Sequence, residues 1–186
     1  MSRGIQLLFA VGGAWLLITG GWIHAKAALA QVLLERAWRE TLGGETDVRP
    51  WQWADTWPVA RLEIPRLGAS MIVLAGASGR TLAFGPGHSH GTPLPGERGT
   101  SIVSGHRDTH FAVLQGLRQG DEIAIERTDG RIIHYEVEQI QLADTRTMRI
   151  GIVADDNALV LVTCWPFDAV VPGGPLRYVV TARRLG

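Results

Sequence analysis

The chain has 186 residues, of which 46% are hydrophobic and 19% are charged, and its formal net charge is zero. This length fits one domain of roughly 130 residues with an N-terminal extension. The balanced charge, without clustering of basic residues, does not suggest nucleic-acid binding. The single cysteine, Cys164, excludes an internal disulfide and any zinc site built from several cysteines.

Residues 1–25 predict an N-terminal membrane anchor. Between Gly4 and Ala25 the sequence contains no Asp, Glu, Lys or Arg. This stretch is close to the roughly 20 predominantly apolar residues that a membrane-spanning helix needs. Trp22 stands near the outer edge of the run, where interfacial tryptophans are common. Ala28-Leu29-Ala30 resembles a cleavage site, so a cleaved signal peptide is the alternative. The run is longer than the apolar core of a signal peptide, roughly 7–15 residues, which favours an uncleaved anchor.

Residues 26–58 predict a helix followed by a linker. Ala, Leu, Glu and Arg dominate as far as Leu42, which favours a helix that continues out of the membrane and ends at Gly43-Gly44. The linker contains three tryptophans, Trp51, Trp53 and Trp57. We expect them to dock on the domain or on the membrane surface, and we favour packing, because tryptophans at this density rarely remain in water.

Residues 59–186 predict short strands separated by turns. Residues 128–130 predict a hairpin turn, residues 85–99 a loop, residues 141–157 a long connection, and residues 78–84 and 111–117 brief helical segments. Many short strands with little helix predict a mainly β fold, either a closed barrel or a sandwich. The predicted strands are Ala60–Ile64, Ser70–Leu74, Thr100–Ser104, Glu122–Arg127, Arg131–Gln141, Ala158–Cys164 and Leu176–Arg183.

The stretch from Leu159 to Pro166 predicts a buried strand with a cysteine at its open end. Its apolar, β-branched residues are typical of a buried strand. Pro166 cannot donate to a ladder, so the strand must stop near Trp165. Cys164 would then be held rigidly and still meet a ligand. The alternative is that Cys164 is a small buried hydrophobe, as most free cysteines are.

A second stretch, Ser101 to Asp108, resembles the first, because a short apolar strand is again followed by a residue that can react, here the potential acid/base His106. Together these stretches resemble the sortase family, the membrane-anchored cysteine transpeptidases, from about Val59 to the end. His106 in Ser-Gly-His-Arg matches the family histidine after the fourth strand. Cys164 in Val-Leu-Val-Thr-Cys matches the cysteine that ends the seventh strand, and Arg177 in Pro-Leu-Arg-Tyr matches the arginine of the eighth.

Other stretches extend the resemblance. Gly85-Pro86-Gly87-His88 and Gly120-Asp121-Glu122-Ile123 are similar to sortase segments on either side of the histidine. Val160 departs from the threonine that many members have, and this departure leaves the catalytic residues unchanged. The segment Thr-Cys-Trp-Pro-Phe and the tryptophan-rich linker are most similar to those of sortases from Gram-negative bacteria.

The resemblance implies a closed β-barrel of about eight strands with short helices, preceded by an N-terminal membrane-spanning helix. It implies catalysis by His106, Cys164 and Arg177 without a metal or cofactor. A free cysteine is only a few per cent thiolate at pH 7, so the attack needs an acid/base partner, which His106 supplies. Arg177 would stabilise the oxyanion or position the substrate. We also expect substrate contacts from three further residues, His88, Thr163 and Trp165.

Several nearby polar residues have less specific patterns. Asp108 and His110 follow the histidine closely, and Asp108 could orient its ring, although such residues more often cap a turn. His88 and His90 are spaced as a metal pair but have no third ligand nearby in sequence. Asp155-Asp156 lies in a region where some sortases bind calcium, but adjacent carboxylates are usually solvated, so no metal is predicted.

The implied partners are a secreted protein with a C-terminal sorting signal of the Leu-Pro-x-Thr-Gly type and an amine acceptor, or water. The implied location is the inner membrane of the cell, with the catalytic domain outside the cytoplasm. Two alternatives remain. A papain-like peptidase usually has its cysteine before its histidine, which is the reverse of this order. A non-enzymatic, membrane-anchored binding domain predicts that Cys164 is buried and distant from His106.

Overall fold

Eight strands form the domain in the computed structural model, which describes residues 3–147, 157–169, 171 and 173–186. The strands are β1 (Pro58–Ile64), β2 (Ala69–Ala75), β3 (Gly87–His88), β4 (Ser101–Ser104), β5 (Glu122–Arg127), β6 (Ile132–Asp144), β7 (Ala158–Cys164) and β8 (Leu176–Arg184). They close into a barrel in the order β1-β2-β3-β4-β7-β8-β6-β5. The predicted closed barrel is therefore confirmed, and the alternative of a sandwich is wrong.

The strand boundaries depart from the sequence prediction where pairing partners decide them. β6 extends beyond Gln141 to Asp144, because β8 pairs with it along this whole stretch. β3 lies inside the predicted loop of residues 85–99, where it pairs with β2 in parallel and with β4 antiparallel. A strand of two residues has no periodicity by which the sequence could reveal it. Asp155-Asp156 lies outside the described residues.

β7 is apolar because both of its faces are covered. Leu159 and Leu161 belong to the main core inside the barrel, together with Val180 of β8. Val160 and Val162 point to the opposite face, since side chains alternate along a strand, and they form a smaller apolar cluster there. The strand is therefore held from two sides up to the cysteine at its end.

A helix of 40 residues, α1 (Arg3–Leu42), packs with its C-terminal part across the outside of the barrel. Leu34 and Trp38 are fully buried against Ile72 and Leu74 of β2. The indole Nε1 of Trp38 donates to Glu126 Oε2 at 3.2 Å. This docking makes the last part of α1 a component of the domain.

A half-buried ion-pair group reinforces the docking. The guanidinium of Arg61 on β1 makes two hydrogen bonds of 2.9 and 2.7 Å to the carboxylate of Glu35 on α1. Its Nε atom lies 3.3 Å from Glu126 on β5. The hydrogen bond from Arg61 lowers the pKa of Glu35, as expected for a carboxylate that is charged in the folded state.

The end of α1 is where the sequence predicts it. The helix stops at Leu42, and Gly44 adopts a left-handed φ of 99° that favours glycine. A short helix, α2 (Gly79–Leu82), and a 3-10 helix at His110–Gly116 occupy the two predicted helical segments. Within the part of the chain that the structure describes, no helix is both long and apolar enough to cross a membrane.

The linker tryptophans differ in their packing. Trp57 packs against the main core, and the ring of Trp51 meets that of Phe84 edge-on at a centroid distance of 4.8 Å. Trp53 is 83% exposed, so the expectation of packing was wrong for this residue. Density of tryptophans in sequence therefore does not determine which of them has a partner surface.

We predict that Trp38→Ala lowers the free energy of unfolding by about 3–5 kcal/mol, because a fully buried indole leaves a cavity between α1 and β2. Urea unfolding of the full chain, followed by far-ultraviolet circular dichroism, measures the change. Trp53→Ala is the matched control and should change the unfolding free energy by less than about 0.5 kcal/mol. Equal effects of the two substitutions would contradict the docking of α1 on the barrel.

Candidate active site

The parallel pairing of β4 and β7 brings two strand ends together. Ser104 pairs with Val162, and Gly105 N donates to Val162 O at 3.1 Å beyond the end of β4. The hydroxyl of Thr163 donates to Gly105 O at 2.8 Å. The register thus continues past the last paired residues. Two residues beyond the last paired residues come His106, which follows the end of β4, and Cys164, which ends β7.

The antiparallel pairing of β7 and β8 adds the third predicted residue. Cys164 and Arg177 are direct register partners. Opposed residues of neighbouring strands project from the same face of a sheet. Cys164 is half-buried and alternates with Thr163, which points into the barrel. The sulfur therefore lies on the outer face beside the arginine, and the alternative of a fully buried structural cysteine is not supported.

The guanidinium of Arg177 is oriented by backbone carbonyls. Its Nη1 donates to Gly174 O at 2.6 Å and to Leu176 O at 2.9 Å. Among the described residues, no carboxylate lies within ion-pair distance of it. Since arginine carries five N–H donors, donors remain for an anion that forms next to Cys164.

The segment around His106 is built on a close backbone approach. A Cβ on Gly105 would lie 2.6 Å from the ring of Phe111, so a larger residue would displace that ring. Phe111 N donates to His106 O at 3.0 Å, and Arg107 Nη2 donates to Ala169 O at 2.6 Å. These contacts hold the backbone of His106 while its side chain stays exposed.

The two polar residues after His106 have different environments. Asp108 is exposed, and within the described residues no hydrogen bond joins it to His106. His110 is half-buried, and its pKa is lowered first by burial and then by the nearby charge of His106. The rings of His106 and His110 are thus close enough to interact electrostatically, and His106 is the one that is exposed to solvent.

Of the three predicted substrate-binding residues, two serve the scaffold. Thr163 is 2% exposed and its hydroxyl is used by Gly105, as described above. The ring of His88 is 5% exposed, and its Nε2 lies 2.9 Å from Pro93 O and 3.0 Å from Thr92 Oγ1. Substrate contact would require these buried bonds to break. Both side chains thus support the backbone around the site, and substrate contact by either of them stays a prediction.

Trp165 belongs to an aromatic group that sequence analysis did not identify. Its ring stacks on Tyr178 at 5.7 Å and meets Phe167 edge-on at 5.5 Å. These rings border a cleft of about 580 Å³ next to the end of β7, which Gln115 and Asp168 also line. Burial raises the pKa of the Tyr178 phenol. The sequence did contain one indication of this aromatic group. Tyr178 directly follows Arg177 on β8, so its side chain points to the face opposite that of Arg177.

The fold and the three strand-end side chains define a β-barrel protein equipped for cysteine-based acyl transfer. A family model described as the sortase domain matches residues 62–185. The chain therefore belongs to the sortase family, whose members are cysteine transpeptidases.

Individual relatives agree with this assignment. Sortase D of Bacillus subtilis (strain 168) is 32% identical over 125 residues, which cover 67% of this chain and 62% of that protein. A Clostridium perfringens sortase D5 transpeptidase is similar in structure, with a TM-score of 0.62, 25% identity, and coverage of 82% of this chain and 89% of that one. Sortase C-1 of Actinomyces oris has a TM-score of 0.59, 32% identity, and coverage of 69% and 75%.

We predict that Thr163→Val lowers kcat by about 10–100-fold, because the bond that sets β7 against β4 is lost and the reacting groups are misplaced. Thr163→Ser keeps the hydroxyl and should retain most of the activity. Steady-state cleavage of a donor peptide and thermal unfolding, measured on both variants, separate a loss of alignment from a loss of folding. Wild-type kcat in a folded Thr163→Val protein would contradict the positioning role.

Proposed function

We propose that this protein is a sortase-type cysteine transpeptidase that cleaves a C-terminal sorting signal through a thioester on Cys164. The observation that carries the proposal is the alignment of three strand ends. Cys164 and Arg177 are register partners on β7 and β8, and His106 follows the end of β4, which pairs with β7 on its other side. One nucleophile thus has a proton carrier on one side and a fixed cation on the other.

The reaction proceeds in two acyl transfers. The sulfur of Cys164 attacks the scissile carbonyl, and Arg177 donates hydrogen bonds to the resulting oxyanion. Protonated His106 gives its proton to the leaving amine, which lets the C–N bond break and leaves a thioester on the sulfur. Neutral His106 then accepts a proton from the incoming amine or water, which attacks the thioester and releases the sulfur of Cys164 as a thiolate, beside a His106 that is protonated again.

The substrate class follows from the family resemblance. We propose a secreted donor with a sorting signal of the Leu-Pro-x-Thr-Gly type, cut between threonine and glycine. The acceptor would be a peptidoglycan amine, a pilin lysine or water. A thioester explains how an amine can compete with water, because the acyl group remains on the sulfur until an acceptor arrives.

We predict that a sorting peptide without any amine leaves a covalent adduct on Cys164, detectable by intact-protein mass spectrometry. The adduct should have the mass of the N-terminal peptide fragment and be released by hydroxylamine. Cys164→Ser should be nearly inert, since serine is far less ionised than cysteine. Full-rate cleavage by Cys164→Ser, or no trapped adduct on the wild-type protein, would exclude covalent catalysis by this residue.

The same assay examines the role of Arg177. Arg177→Ala should slow formation of the adduct by about 10²–10³-fold, the range for a lost oxyanion donor. Arg177→Lys should recover only part of the rate, because a point charge replaces a forked donor. If Arg177→Ala reacted as fast as the wild type, the oxyanion would have to be stabilised by backbone amides instead.

We also propose that residues 1–25 anchor the protein in the inner membrane of a Gram-negative bacterium, with the barrel outside the cytoplasm. The absence of charged residues from Gly4 to Ala25 supports the anchor. The continuity of α1 supports a rigid connection, since one helix contains both this run and the docked part around Trp38. The location outside the cytoplasm follows from the need to meet secreted donors.

We predict that the full-length protein stays in the membrane fraction after alkaline extraction, because the proposed anchor contains a stretch without Asp, Glu, Lys or Arg, from Gly4 to Ala25, of the length that a spanning helix needs. N-terminal sequencing should find the first residues intact. A mature protein that begins at Gln31 and lies in the soluble fraction would contradict the anchor. The domain itself should survive such a cut, because Leu34 and Trp38 would remain attached to the barrel.

A further inference from the structure

A cleft of about 540 Å³ separates α1 from the segment that carries the two histidines. One wall is the face of α1 from Lys26 to Gln31, and the other is formed by Phe84 and His110. Gln31 Nε2 donates to Phe84 O at 2.9 Å and closes the bottom between the two walls. The mechanism described above does not use this cleft.

The cleft lies on the opposite side of His106 from Cys164. β4 stands between β3 and β7 in the barrel, and His106 follows the end of β4. Cys164 ends β7 on one side of it, whereas Phe84 lies three residues before the start of β3 on the other side. α1 reaches the cleft from the same side, because it packs on β1 and β2. The histidine is therefore located between the nucleophile and the cleft.

The position of His106 between Cys164 and the cleft indicates which part of the donor could occupy the cleft while the thioester forms. The scissile carbonyl lies between Cys164 and Arg177, and the leaving nitrogen lies next to His106, which protonates it. In this mechanism the peptide that continues from the nitrogen lies on the histidine side of the sulfur, and its next residues would reach the cleft beyond His106.

The lining indicates the chemistry of the occupant. Ala27, Ala28 and Ala30 of α1 offer methyl groups, and Phe84 offers an aromatic ring. The pKa of the half-buried His110 is lowered, chiefly because burial disfavours the charged form of its ring. A short apolar segment fits these walls. The one charged side chain of the lining, Lys26, lies with its Nζ atom 5.1 Å from the ring centroid of Trp22.

We propose that the cleft between α1 and His110 binds the residues that follow the scissile bond of the donor and selects apolar side chains among them. This inference rests on the proposed function, since it requires a donor cleaved at Cys164. It assigns the helix that precedes the barrel to the substrate site, in addition to its role in docking.

Three donor peptides with the same sorting motif test the proposal on the full chain in detergent. One ends at the first residue after the cleaved bond, one continues with two leucines, and one continues with two aspartates. Formation of the thioester, followed by mass spectrometry, should have a kcat/KM about tenfold higher for the leucine peptide than for the aspartate peptide.

Ala27→Trp places an indole in the cleft and should abolish this preference while leaving the rate with the truncated peptide unchanged. Val32→Trp is the matched control on the same helix, at a side chain that is 63% exposed and outside the cleft lining. It should keep the wild-type preference. The truncated peptide shows whether either variant has lost its active site.

Equal kcat/KM values for the leucine and aspartate peptides on the wild type would overturn the proposal. Loss of the preference in both tryptophan variants would overturn it as well, because the effect would not come from the cleft. If Ala27→Trp changed only the partition of the thioester between amine and water, the cleft would serve the acceptor, and the assignment to the donor would be wrong. No adduct with any peptide would instead overturn the proposed function, and this inference with it.

Discussion

The candidate active site depends on the parallel pairing of β4 and β7, because this pairing brings the segment of His106 next to the strand that ends in Cys164. The two strands are far apart in sequence, and each ends within two residues of its reactive side chain. Hydrogen bonds continue past the strand ends through Gly105 and Thr163, so the alignment is fixed by backbone rather than by long side chains. A scaffold of this kind positions reacting groups more precisely than flexible loops do. The antiparallel partner β8 then adds Arg177 without further loop structure.

The docked half of α1 makes the segment before the barrel part of the enzyme. Trp38 is buried completely, and Arg61 connects the helix to two strands through Glu35 and Glu126. Because the ion pairs are partly shielded from water, they are worth more than exposed pairs, although burial of the indole dominates the energy. The same helix forms one wall of the cleft beside His110. Stability of the docking and geometry of the site are therefore linked through one element.

Sequence patterns predicted the elements that depend on local chemistry. The bounds of β5 and β7, the turn at Gly130 and the end of α1 follow from alternation, from proline and from glycine. The level of His106 relative to Cys164 could not be derived from pattern, because a parallel register is set by long-range pairing; only the family resemblance indicated it. β3 and the stacking of Trp165 on Tyr178 were missed for the same reason, since each depends on partners distant in the chain.

The closure of the barrel limits how other polypeptides can bind to this protein. Every one of the eight described strands has a hydrogen-bonded neighbour on both sides, so no strand is free along its whole edge. Backbone groups open to an extended polypeptide are confined to stretches where a register stops, such as residues 138–144 of β6 on the side away from β8. Discrimination between a correct and an incorrect chain therefore rests on side-chain contacts at the strand ends. The same closure limits edge-to-edge strand pairing between copies of the domain.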